Sequence, residues 1–83
     1  MPYIKQERRR EMQLQLDGGN ANTAGELNYQ LTVVCKDYME HKGLSYATIN
    51  DIVGALEGAK LEFYRRVAAP YEDKKIIENG DCY

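Results

Sequence analysis

Tyrosine stands beside cationic residues at three places in this 83-residue chain, and this pairing is the feature of the sequence that could do chemistry. The three groups are Tyr3 with Lys5 and Arg8, Tyr64 with Arg65 and Arg66, and Tyr71 with Lys74 and Lys75. A tyrosine ring offers a stacking face with a polar tip, and arginine offers a planar fork that suits phosphate. The pairing suits a nucleotide or a phosphate-bearing strand. It also suits a protein interface, where tyrosine and arginine are enriched.

Six residues from these groups are our candidate ligand contacts: Tyr64, Arg65, Tyr71, Lys74, Tyr3 and Arg8. In this hypothesis the tyrosines stack on a base, while the arginines and the lysine neutralise phosphate. We expect Tyr3 and Arg8 to complete the pocket from a neighbouring chain.

No arrangement of side chains predicts catalysis, a metal site or a disulfide. His41 falls at a predicted helix C-terminus, where the helix dipole favours an imidazolium. The two cysteines give no zinc spacing; Cys35 lies on an apolar helical face and should be a buried, inert thiol, whereas Cys82 should be exposed. Four carboxylates have a base within helical reach and are interpreted as solvated ion pairs: Glu57, Glu62, Glu72 and Asp73. We therefore expect no enzymatic activity, no metal and no cofactor.

Charge and composition restrict the class of partner. The formal net charge is −2 and the isoelectric point is about 5.3, so no global positive field would hold the protein on nucleic acid or an anionic membrane. The sequence has no run of eighteen apolar residues, and its first residues lack the apolar segment of a signal peptide. We expect a cytosolic protein without membrane or nucleic-acid partners.

The elements that must position these residues are helices, and the expected class is all-α. Thr23 and Glu26 have the spacing of a capping box, and Ser45 is a good N-cap. Gly43 between them suits a left-handed helix ending. We predict a helical hairpin over about 23–42 and 45–68, in which two apolar stripes form the core. Those stripes are Leu27, Leu31, Val34, Cys35 and Tyr38 on the first helix, and Ile49, Ile52, Val53, Leu56, Phe63 and Val67 on the second.

Two weaker helices flank the hairpin in this prediction of one domain over 1–83. A helix from Pro2 to about Leu16 should dock along one edge, and a flexible loop should follow at about 17–22. Pro70 should end the long helix, because the residue before a proline is pushed out of the α region. A short helix then covers 71–78.

Two glycines on the long helix predict a place where another backbone comes close. Gly54 and Gly58 are four residues apart, lie roughly opposite the apolar stripe and share their side with Leu61. Each costs about 1 kcal/mol relative to alanine inside a helix. A chain this short is marginal as a monomer, so we expect a homo-oligomer, with this face at the subunit contact or against the N-terminal helix.

Several strings resemble a family of short uncharacterised proteins, a domain of unknown function, from bacterial and phage genomes. They are MPYIKQERR at the start, GELNY at 25–29, GLSY at 43–46, IND at 49–51, EFYRRV at 62–67, APYEDKKI at 69–76 and NGD with a final tyrosine at 79–83. The resemblance covers nearly the whole chain and implies no activity, cofactor or catalytic residue. A phage setting would favour an accessory protein that sequesters a host signal or blocks a host enzyme.

Our leading hypothesis is a non-enzymatic homo-oligomer that binds an anionic, nucleotide-like ligand. The alternative is an adaptor or inhibitor that contacts a host protein with the same tyrosine and arginine surface. A nucleic-acid-binding function would predict affinity that falls steeply with salt, and the acidic total weighs against it.

Overall fold

The computed structural model of the chain describes residues 4–13 and 19–83. Within these ranges the fold is all-α, as predicted, and no strand is present. The helices are α1 (Gln6–Glu11), α2 (Ala24–Lys42), α3 (Tyr46–Phe63) and α4 (Ala69–Asn79), with a π-helical turn (Tyr64–Ala68) between the last two. Tyr3, one of the candidate ligand contacts, lies outside the described residues. Both ends of the predicted first helix, 2–3 and 14–16, and 17–18 of the predicted loop also lie outside them.

The hairpin of α2 and α3 is confirmed, together with the residues predicted to delimit it. Thr23 Oγ1 accepts a hydrogen bond from the Glu26 N–H at 3.1 Å, and Ser45 Oγ accepts from the Thr48 N–H at 3.2 Å. Gly43 ends α2 with a φ of 88°, a conformation that glycine adopts without steric penalty. These caps satisfy N–H groups that a helix leaves without partners at its first turn.

One detail of the predicted capping box is wrong. The Glu26 carboxylate does not reach back to the Thr23 N–H; it accepts from the N–H of Asn22 at 2.9 Å. The threonine cap is therefore intact, and the Glu26 carboxylate binds the backbone of Asn22, the residue before Thr23. Residues 19–22 have no helix, and the flexibility of the loop stays a prediction.

The prediction that Pro70 ends the long helix is wrong. The helical backbone runs from Tyr46 to Asn79, and Ala69, directly before the proline, has α-helical angles of −62° and −47°. Proline has no N–H, and its ring clashes with the carbonyl four residues earlier. The π turn relieves this clash because its bonds reach five residues back, as from the Ala69 N–H to the Tyr64 carbonyl. The C-terminal helix predicted over 71–78 is thus the end of one long helix and not a separate element.

The first helix is shorter than predicted and does not dock. Ile4 and Lys5 precede the helix, which covers Gln6–Glu11. None of the contacts between described elements involves α1. The reason is its sequence, since Arg8, Arg9 and Arg10 spread charge around six residues and leave no apolar face to bury.

The predicted core is not buried in the single chain. Thr48, 5% exposed, is the one buried side chain among the described residues, and the seam between α2 and α3 is formed by the half-buried Cys35, Met39 and Ile52. The rest of the α3 stripe lies outside the seam, with Ile49, Val53, Leu56, Phe63 and Val67 between 42% and 64% exposed. A helix with one neighbour can bury only the strip that faces it, so most of each stripe stays uncovered. Cys35 is accordingly half-buried rather than buried.

The N-cap of α3 gives a direct test of the hairpin. Replacement Ser45→Ala removes the acceptor for the Thr48 N–H and should lower the free energy of unfolding by about 1 kcal/mol. Chemical denaturation followed by circular dichroism measures this loss.

The matched control is Thr32→Ala, because the Thr32 hydroxyl donates to the Asn28 carbonyl within the helix, at 3.0 Å, and caps nothing. Thr32→Ala should leave the stability unchanged or slightly raised. Equal losses for both variants would contradict the assigned role of Ser45.

Candidate functional site

The candidate site surrounds the π turn, where the helix carries tyrosine, arginine and glutamate side chains together. π turns inside α-helices occur frequently at functional sites. Sequence reasoning does not predict this turn; its signal is Pro70 within an otherwise helical pattern. The turn matters because it changes which side chains share a face.

The π turn brings Tyr64 into contact with Glu72. The Tyr64 hydroxyl donates to Glu72 Oε1 at 2.6 Å, across eight residues. In a regular α-helix, residues eight apart would project about 80° apart. The extra residue in the wider turn reduces this angle to about 20°. Tyr71 precedes Glu72 by one residue and therefore projects about 100° away from the Tyr64 pair, so the two tyrosines do not share one face.

Hydrogen bonds to carboxylates alter the titration of two tyrosines. The bond to Glu72, followed by the repulsion between that carboxylate and a phenolate, raises the pKa of Tyr64 above its ordinary value of 10.0. The bond to Asp51, at 2.9 Å across the hairpin, likewise raises the pKa of Tyr38. Both hydroxyls are thus held as neutral donors, and neither is prepared as a phenolate nucleophile.

The arginines at the turn are compensated by a glutamate of their own helix. Arg65 Nη2 lies 2.8 Å from Glu62 Oε1, and Arg66 Nε lies 3.9 Å from the same oxygen. Glu62 is the less exposed partner, with 27% of its side-chain surface accessible. A single chain therefore offers an anion only a weakened positive field at this point.

The third tyrosine group lies on α4 and begins with Tyr71, seven residues after Tyr64. Lys75 Nζ stands 5.5 Å from the centre of the Tyr71 ring, a cation–π distance, and is 3.5 Å from Glu78 Oε2. Lys74 makes no ion pair with any residue that the structure describes. It is the candidate contact whose charge is least compensated.

The remaining candidate ligand contact is remote from this cluster in one chain. Arg8 is paired with Glu11 at 3.2 Å on α1, which packs against none of the other described helices. A single chain thus does not bring Arg8 to Tyr64 or Tyr71.

The predicted interface residues lie on an open surface. A side chain added at Gly54 or Gly58 would meet no atom within 4 Å, and Leu61 is 57% exposed. The Tyr38–Asp51 bond places this face beside the apolar stripe of α2, because Asp51 precedes Gly54 and Gly58 by three and seven residues.

The opposite side of the hairpin carries an apolar groove between α2 and α3. It is lined chiefly by Leu31, Cys35, Met39, Ile52 and Leu56.

No other chemistry is assembled within 4–13 and 19–83. These residues contain no group of three histidine, cysteine or acidic side chains that could hold a metal ion. Cys35 and Cys82 are free thiols. None of the helices described has both the length and the apolar character needed to span a bilayer.

The Tyr64–Glu72 bond predicts a specific titration. Because the neutral phenol is favoured, Tyr64 should titrate above pH 10, and the stabilisation from this bond, present below pH 10, should be lost as the pH rises through the folded-state pKa. NMR of ring-labelled tyrosine, assigned with Tyr64→Phe, measures the titration.

Glu72→Gln should bring the pKa of Tyr64 back towards 10, while Asp51→Asn should change Tyr38 alone. An unshifted Tyr64 in the unmodified protein would contradict the bond and the π-turn geometry behind it.

Comparison with known proteins identifies the family. Neither the curated proteins nor the solved structures give a significant match to the chain. One family model does match, and it covers residues 1–82, which agrees with the near full-length resemblance seen in the sequence. The chain therefore belongs to the family described as a domain of unknown function, DUF6899.

Proposed function

We propose that this chain is a non-enzymatic, cytosolic binding protein whose working form is a homo-oligomer. The observation that carries the proposal is the exposed apolar surface of the single chain. No apolar side chain is fully buried among the described residues. Burial of apolar surface is the dominant favourable term in folding, so a second chain is the simplest source of a core.

The size of the exposed surface supports the same proposal. The chain exposes 7810 Å², whereas a compact monomer of 9.5 kDa would expose about 5,000 Å². Its radius of gyration is 16.5 Å, against about 12 Å for a compact domain of this length. The excess is about 2,800 Å² per chain, and obligate homodimers bury about 1,000–2,500 Å² on each partner. The surplus area is therefore enough for one large interface or two ordinary ones.

The ligand that we propose is anionic and nucleotide-like, bound by Tyr64, Arg65, Tyr71 and Lys74. Tyr71 is 61% exposed and available for stacking, and Lys74 has no ion pair within the described chain. Because Glu62 compensates the arginines, a phosphate site would need cations from more than one chain. Oligomerisation and ligand binding are thus parts of one proposal, with Arg8 as a further cation from a neighbour.

A second candidate is an adaptor or inhibitor of another protein. Most cations at the π turn are paired with carboxylates of their own helix. The surface is therefore nearly neutral and rich in tyrosine, which favours this second candidate. Protein interfaces commonly have this composition.

Light scattering tests the homo-oligomer. The wild type should have at least twice the mass of the 9.5 kDa chain. Gly58→Leu should lower that mass, because the new side chain occupies a surface proposed to contact a neighbour. In an isolated subunit the same change meets no atom and should instead stabilise the helix by about 1 kcal/mol.

Gly25→Leu is the control, since this glycine is also helical but lies away from Gly58. It should leave the mass unchanged. A monomeric wild type would overturn the proposal.

A thermal-shift panel of mononucleotides, dinucleotides and cyclic nucleotides tests the ligand. A ligand at a hundred times its Kd should stabilise the folded state by about 2.7 kcal/mol and raise Tm accordingly. Tyr71→Ser and Lys74→Ala should each reduce the shift.

Tyr29→Ser is the matched control, because Tyr29 is an exposed tyrosine on α2, away from the π turn. No shift at millimolar nucleotide, with an unchanged oligomer, would favour the adaptor.

A further inference from the structure

The long helix carries a stripe of large apolar side chains that the other described residues leave largely uncovered. The stripe consists of Ile49, Val53, Leu56, Phe63 and Val67, each between 42% and 64% exposed. Leu56 also lines the groove against α2, so the stripe and the groove form one surface. Large contiguous apolar patches on a protein surface mark interaction sites.

The π turn changes the direction in which Tyr71 projects relative to this stripe. In a regular α-helix Tyr71 would project in line with Val53, eighteen residues earlier. The wider turn contains one extra residue, so the residues after it are rotated by about 100° and Tyr71 projects about that angle away from Val53. Tyr71 therefore lies at the edge of the stripe and remains available to the proposed ligand.

The order of the stripe is nearly the same in both directions. Val53 and Val67 lie seven residues on either side of Lys60, and Leu56 and Phe63 lie four and three. An antiparallel copy with its two-fold axis near Lys60 would therefore place large side chains opposite large side chains. Such a self-complementary patch is what a two-fold contact between identical chains requires.

We infer that two copies of this chain pair antiparallel through the stripe, with the two-fold axis near Lys60. This inference rests on the proposed homo-oligomer and specifies its contact. In this pair the half of the long helix that extends past the hairpin, residues 64–79, lies along the hairpin of the second copy. Lys60 is near the axis, and its charge is already compensated by Glu57 at 3.3 Å. The stripe lies roughly opposite Gly54 and Gly58, so the contact proposed above at the glycine face is a second one, which joins such pairs into a larger assembly.

Charge favours the same arrangement. Residues 24–63 contain six carboxylates and three lysines, whereas residues 64–79 contain four cations and three carboxylates. The hairpin is thus acidic and the extension slightly basic, and antiparallel pairing brings the two together. A parallel pair would place acidic hairpin beside acidic hairpin.

Cross-linking through single cysteines tests the position of the axis. In a background of Cys35→Ala and Cys82→Ser, Lys60→Cys places one thiol near the axis, and a short bismaleimide should link most chains into dimers. Lys75→Cys is the matched control, because the two copies of that residue would be about 45 Å apart in the antiparallel pair. It should give little covalent dimer.

The outcomes separate this inference from the proposed function. If the wild type is oligomeric by light scattering but Lys60→Cys is not cross-linked, or is cross-linked no more than Lys75→Cys, the inferred contact is wrong and the homo-oligomer stands. If the wild type is monomeric, both fail. Selective linking at residue 60 supports the inferred contact.

Discussion

The structure depends on the fact that two helices share only one seam. The hairpin of α2 and α3 brings Cys35, Met39 and Ile52 together, and Thr48 is enclosed at one end. Every other apolar position lies to the side of this seam, because a third layer is missing within the described residues. The N-terminal helix does not supply that layer. The hairpin therefore defines the path of the chain, while most apolar side chains of α2 and α3 stay exposed among the described residues.

The π turn is the second determinant of the surface. Without it, Pro70 would either end the helix or force its ring against a carbonyl. With it, one helix continues to Asn79, the Tyr64 hydroxyl reaches Glu72, and Tyr71 projects about 100° away from Val53. A local adjustment of hydrogen bonding around one proline thus decides which side chains are neighbours over the C-terminal half of the molecule.

Sequence patterns predicted the features that depend on local physics. The caps at Thr23 and Ser45, the glycine at the end of α2 and the hairpin itself follow from side-chain hydrogen bonds and backbone angles within a few residues. The fate of Pro70 could not be predicted in this way, because a proline signals both a helix end and a wider turn. Burial could not be predicted either, since a stripe of correct spacing does not reveal whether its partner belongs to the same chain.

The candidate site was predictable in composition but not in arrangement. Tyr64, Arg65, Tyr71 and Lys74 do cluster near one part of the helix, as their positions in the sequence require. Their partners, Glu62 and Glu72, change the chemistry, because Glu62 compensates Arg65 and Glu72 holds the Tyr64 hydroxyl as a donor. The glutamates were interpreted only as solvated ion pairs, and the bond between Tyr64 and Glu72 needs the π turn, which was not foreseen.

The short connection at Gly43 has a consequence for how the protein forms. Tyr38 and Asp51 are thirteen residues apart, so the hairpin closes through local contacts, which in small helical proteins form within roughly microseconds to milliseconds. Covering the apolar surface in the proposed assembly is instead an encounter between chains, and its rate rises with their concentration. At a low intracellular concentration, most chains would be single hairpins with an exposed apolar surface, which are subject to proteolysis. At a high concentration, most would be in the proposed homo-oligomer. The level of synthesis would therefore control the amount of the binding-competent form.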